Sequence, residues 1–207
     1  DRDGVADKST VFAGGLNMPT GFALGDGGVY LGEGSELVFL ADEDGDDRAD
    51  SRRVLLAGFG TGDTHQNINS FTWSPDGELY FCQGLHAFSR VETPWGISRL
   101  DEHGVWRMQP RRLRLFPFRG VAGQNPWGVS FGPWGEGLVK GNGTTLCELT
   151  PHAIPTDNRP SDLVVRATQI KSMIALHVDS PHLPDSIQGD VLIAGYYAHV
   201  IDRMQLF

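Results

Sequence analysis

The chain has 207 residues, 40% of them hydrophobic and 21% charged, with 27 glycines and 12 prolines. That composition describes a globular domain over 1–207, rich in turns and poor in long helices. A net charge of −9 argues against nucleic acid as a partner, and no apolar run approaches the roughly 20 residues of a membrane span.

In chain order the pattern is strand and turn throughout. "GFALGDGGVYLGEGSELVFLAD" (21–42) predicts three short strands, with Asp26-Gly27 as a hairpin signal. "INSFTWSPDGELYFCQG" (68–84) predicts a strand, a Pro-Asp-Gly turn and a strand. "WGISRLDEHGVWRMQP" (95–110) repeats strand, turn, strand, and "RLRLFPF" (112–118) follows. "NPWGVSFGPWGEGLVKGNGTTLCELTP" (125–151) has the same plan. The segment 152–171 lacks alternation and reads as a long connection. "SMIALHVDS" and "GDVLIAGYYAHVIDRMQLF" supply the closing strands.

The strands recur as a unit. Residues 1–34 and 42–84 both run acidic loop, Ala-Asp, strand, glycine, polar link, strand, turn, strand, with an offset of 41 residues between Asp1 and Asp42. "GQNPWGVSFGPWGEGLVKGNG" (123–143) is a third copy of the later half. A period near 40 with about four strands per unit is the signature of a β-propeller blade. The expected fold is therefore all-β, a β-propeller with about four blades in view, either a fragment of a longer (six-bladed) propeller with further blades or domains outside this segment or a propeller completed by another chain.

Three groups of residues could serve chemistry. "DEDGDDRAD" places Asp42, Asp44, Asp46 and Asp50 at loop positions 1, 3, 5 and 9, which can turn carboxylates toward one hard cation such as calcium. Position 6 is Asp47 rather than glycine and position 12 is Arg53 rather than glutamate, so the alternative is a solvated acidic turn. Cys82 and Cys147 lie in apolar strand-like runs, as two buried thiols or as a disulfide. His65 precedes a hairpin within "GDTHQNINSFTWSPDGELYFCQG" (62–84). It could take a proton from a substrate hydroxyl, or it could satisfy backbone groups in a loop between sheets. Trp73, Trp95, Trp127 and Trp134 could offer stacking faces or fill the core.

"DTHQNINSFTWSPDGELYFCQG" resembles the first active-site hairpin of the pyrroloquinoline-quinone (PQQ) sugar dehydrogenase propellers (glucose and sorbosone dehydrogenases). "GQNPWGVSFGPWGEGLVKGNG" is similar to a later hairpin of that family, and "LPDSIQGDVLIAGYYAHVIDRMQL" (183–206) to its closing strands. The chain is still closer to planctomycete-type membrane-bound dehydrogenases, which combine "DxDGDGxAD", "DTHH", "GCQG" and "SNPWG". The resemblance implies a periplasmic or secreted oxidoreductase acting on a sugar or polyol hydroxyl, with PQQ and calcium as cofactors. It makes His65 the catalytic base and puts Gln66, Gln124, Asn125 and Gly128 on the cofactor side. Gln124 stands where the sugar dehydrogenases have an arginine, and Tyr197 near a cofactor-contacting lysine. A non-catalytic propeller that binds carbohydrate or protein is the alternative.

Overall fold

The computed structural model describes residues 5–119, 125–141, 145–149, 162–167 and 172–205. Among them are no α-helix, three short 3-10 turns and these strands: β1 (Pro19–Gly25), β2 (Gly28–Glu33), β3 (Glu36–Ala41), β4 (Ser51–Ala57), β5 (Asn69–Trp73), β6 (Leu79–Gln83), β7 (Phe88–Thr93), β8 (Gly96–Asp101), β9 (Gly104–Gln109), β10 (Arg114–Arg119), β11 (Pro126–Phe131), β12 (Gly137–Gly141), β13 (Thr145–Leu149), β14 (Asp162–Ala167), β15 (Ser172–His177), β16 (Val191–Gly195) and β17 (Val200–Met204). All pairings are antiparallel. They form four-stranded sheets β1-β2-β3-β4, β5-β6-β9-β10 and β11-β12-β13-β14, a three-stranded sheet β15-β16-β17, and the hairpin β7-β8.

The sheets follow one another face to face, because their middle strands are apolar on both sides. In β6, Leu79 and Phe81 pack toward the first sheet with Phe59, Phe71 and Trp106, while Tyr80 and Cys82 pack toward the third with Val129, Val139 and Cys147. Leu138 and Leu146 extend the same stacking to Ala175, Val191 and Ile193 of the last sheet. The first strands, β1, β5, β11 and β15, are neighbours in that order. Asp26 and Gly27 join β1 to β2 at φ 50° and 78°, the left-handed pair a two-residue hairpin turn needs.

One expectation from the sequence is extended and one corrected. The strand, turn and strand expected over 95–110 are present at 96–101 and 104–109, and the two strands belong to different sheets: β8 pairs with β7, and β9 pairs with β6 and β10. The β7–β8 hairpin is an insertion, tied to the first sheet through Arg90 N–H to Gly58 O (2.8 Å) and to β10 through Ser98 Oγ to Leu115 O (2.7 Å). Within the expected connection 152–171, residues 162–167 form β14, paired with β13; the rest of that segment lies outside the described residues. Strand hydrogen bonding to β13 orders this run despite its weak alternation. Cys82 and Cys147 are both buried thiols outside any disulfide, and burial pushes the Cys82 thiol up to about 12.

Lys140 is the largest charged side chain in this interior. It is fully buried on β12, donates from Nζ to Gly141 O at 2.7 Å, and burial lowers its pKa from 10.5 to about 8. The unfolded chain therefore holds more protons at this site between about pH 8 and 10.5, and folding gains stability as pH rises through that window. Urea unfolding should show the wild type gaining on Lys140→Met by up to about 1.4 kcal/mol per pH unit across it. A flat difference would mean that Lys140 stays charged or reaches solvent.

Candidate functional site

Strand direction separates the sites. Thr20 at the start of β1 donates to Ile68 O (2.8 Å) just before β5, while Gly25 at its end packs on Trp73 at the end of β5. The first strands thus run parallel, and His65 lies at their starting end. The β3–β4 loop with Asp42 to Asp50 lies at the other.

A short 3-10 turn, Thr64–Gln66, positions His65. Gln66 N–H donates to Asp63 O at 2.9 Å, and Gly84, beyond the end of β6, donates to Gln66 O at 3.1 Å. A Cβ on Gly84 would lie 2.3 Å from Gln66 Oε1 and 2.4 Å from its Cβ, so the glycine leaves the notch that this side chain fills. The hairpin therefore acts as a stem for the turn. Asn69 donates to Asn67 O (2.8 Å), and Ser70 donates to Asn69 Oδ1 (2.7 Å) from a left-handed backbone (φ 55°) at a bulge in β5.

The His65 side chain is 63% exposed, and its Nδ1 is paired with Asp63 Oδ1. The Trp127 ring lies alongside, with centroids 6.3 Å apart and planes tilted by 36°. A carboxylate on Nδ1 favours the tautomer that leaves Nε2 free to accept a proton. Beneath the histidine, Gln66 and Asn67 are fully buried, and neither end of either amide has a hydrogen-bond partner among the described residues. Each such buried amide group costs about 1–3 kcal/mol when it lacks a partner.

Of the positions assigned to a cofactor, Gln66, Asn125 and Gly128 are described and Gln124 lies outside the described residues. Gly128 is buried on β11 at φ 147°, beside the Cys82 thiol of β6, and a Cβ there would press on Ile174 at 3.0 Å. Trp127, next to it, reaches His65. In the acidic loop, Asp42, Asp44 and Asp50 bring ligand atoms within 4.8 Å of one another, and Asp46 is not in that group. The loop is closed by its own backbone, with Gly45 N–H on Asp42 Oδ1 (2.7 Å), Asp46 N–H on Asp44 Oδ1 (3.1 Å) and Glu43 N–H on Asp50 Oδ2 (2.7 Å).

Sequence reasoning missed Asp63; it named Asn67 beside His65, and it offered Trp127 only as one of four stacking faces without linking it to His65. The first was legible in principle, since Asp63 stands two residues before His65 in "GDTHQ".

A family model described as "Domain of unknown function (DUF7133)" matches residues 1–206. No curated protein matches the chain. Among solved structures, one of a protein proposed to be a gluconolactonase matches with TM-score 0.52 and 17% identity, covering 84% of this chain and 56% of the other. The chain thus spans little more than half of that protein's length. A virginiamycin B lyase from Staphylococcus aureus matches with TM-score 0.44 and 11% identity, over 90% of this chain and 69% of the other. The first of these likenesses supports a propeller fold.

Proposed function

The chain belongs to the DUF7133 family, and we propose that it forms about four blades of a six-bladed propeller enzyme in which His65 acts as general base on a sugar or polyol hydroxyl. The observation behind this reading is the His65–Asp63 pair at the exposed end of a braced hairpin, beside an aromatic ring. A hydroxyl hydrogen-bonded to Nε2 loses its proton to the ring, and Asp63 balances the imidazolium charge. Periplasmic or secreted localisation belongs to the same reading.

The resemblance adds PQQ as oxidant. That cofactor is a tricarboxylate, and its recognition calls for guanidinium or ammonium groups. Gln66, Gln124, Asn125 and Gly128 are all uncharged, and Gln66 is fully buried. These residues alone do not fit the group, so quinone-dependent oxidation would draw its cations from outside the segment. The same neutrality favours a second reading, a carbohydrate-binding propeller without redox chemistry.

Full-length protein supplied with PQQ and calcium and offered aldoses, polyols and a sorbosone-like aldehyde distinguishes the two. Dye reduction supports the enzyme reading. Saturable sugar binding without turnover supports the binding module, and neither result leaves no place for a sugar.

Calcium remains part of the proposal through Asp42, Asp44 and Asp50, which supply fewer ligands than the six to eight the ion prefers. Calorimetry should detect weak calcium uptake that Asp44→Ala removes. Equal uptake by the variant would make the loop a solvated turn.

A further inference from the structure

The end of the sheets opposite His65 holds a cleft of about 710 Å³ built from three turns of the first two sheets. The β1–β2 turn contributes Asp26, the β5–β6 turn Trp73 and Asp76, and the β9–β10 turn Arg111 and Arg112. Its lining among the described residues comes entirely from these two adjacent sheets.

Trp73 is held rigidly. Its Nε1 donates to Leu24 O at 2.7 Å, and its ring meets Tyr30 edge-on at 5.5 Å and 82°. A Cβ on Gly25 would come within 2.6 Å of the indole. With the polar edge already engaged, the part of the ring that reaches the cleft is apolar. Around it, acceptors and donors alternate. Asp76 accepts the Ser74 hydroxyl, and Asp26 accepts the Tyr30 hydroxyl at 2.7 Å while standing 3.9 Å from Arg111 Nη2. Each carboxylate keeps lone pairs for further donors, and each guanidinium has N–H groups to spare. Glu78, also on the wall, is taken up by Arg107 (3.2 Å) and Gln109 (2.6 Å). Asp26, Asp76 and Glu78 thus share the cleft wall with Arg111 and Arg112, and a ligand of either charge meets like charge.

We propose that this cleft binds a neutral, hydroxyl-rich ligand, a mono- or disaccharide unit, on the face remote from His65. A sugar has an apolar C–H face for the indole and a rim of hydroxyls that both donate and accept, which suits a wall of mixed carboxylates and guanidinium groups. The volume lies in the range of small-molecule sites. The inference does not depend on the general-base reading of His65.

Calorimetry with glucose, cellobiose and glucuronate tests it, alongside the indole N–H signal of Trp73 in NMR, assigned with Trp73→Phe. The neutral sugars should bind and shift that signal. Asp76→Asn and Arg112→Ala, both changes in surface turns, should each weaken binding by about 10-fold. The sugar-induced shift of the Trp73 signal should not depend on His65, whatever binds at the opposite end. The proposal is overturned if no neutral sugar shifts that signal at about 50 mM, if both cleft variants shift it normally, if glucuronate binds more tightly than glucose, or if His65→Ala alone removes the shift.

Discussion

Gln83→Leu should lower the unfolding free energy by about 3–5 kcal/mol, the largest stability loss expected from a single substitution that nearly preserves volume. Gln83 ends β6 and is fully buried. Its Nε2 donates to the carbonyls of Ala87 (2.9 Å), Leu100 (3.1 Å) and Glu102 (2.8 Å). Its Oε1 accepts Trp106 Nε1 at 3.1 Å and the Ser89 hydroxyl. One amide therefore ties β6 to both ends of the inserted hairpin and to β9. Leucine would fill the space but leave the indole N–H and a hydroxyl without their acceptor and the Leu100 carbonyl without this donor, while Ala87 O keeps Glu102 N–H (3.0 Å), at about 1–3 kcal/mol for each group that cannot relax toward water. Since domains have only about 5–15 kcal/mol in all, urea unfolding would register the change plainly. Hydrogen exchange should quicken first in residues 86–102. A loss below about 1 kcal/mol would mean that the network is replaceable by packing alone.

The same residue marks the limit of what the sequence made legible. Alternation in "LYFCQG" identifies β6, and the Asp26-Gly27 and Pro75-Asp76-Gly77 turns identify hairpins, because both signals are local. Which sheet a strand joins is not local. β7 and β8 alternate like any blade strand, and only the buried Gln83 amide and the contacts of Gly58 and Gly60 with the hairpin backbone set them apart as an insertion. The site divides in the same way. The order of residues around His65 singles it out, but Trp127 reaches it from another sheet, across a sequence distance that no spacing rule spans. Gln66 and Asn67 look like solvent-facing loop residues by type. The burial of Gln66 follows from the notch at Gly84, which composition does not reveal.

His65→Ala in the full-length protein should reduce turnover by about 10²–10⁴-fold, the usual contribution of a positioned general base. The ring is mostly exposed and its polar contact is with Asp63, so removing it should move stability by no more than about 0.5 kcal/mol. That separation of effects makes the substitution diagnostic: a base lost from a solvent-facing turn changes kcat and leaves the melting curve in place. Asp63→Asn tests the orienting role. An amide can return a donor to Nδ1 and hold the wrong tautomer, so kcat should fall by more than about 10-fold while KM stays close to the wild-type value. If Asp63 instead only braced the turn, KM and stability would shift together and kcat would follow them. Gln66→Met removes two buried amide atoms that have no partner among the described residues and should raise stability. Should His65→Ala keep full turnover, the proton goes elsewhere and His65 is not the base. Should the wild type turn over no sugar, polyol or aldehyde while binding one in a way that His65→Ala weakens, the His65–Asp63 pair would be a recognition element in a binding propeller.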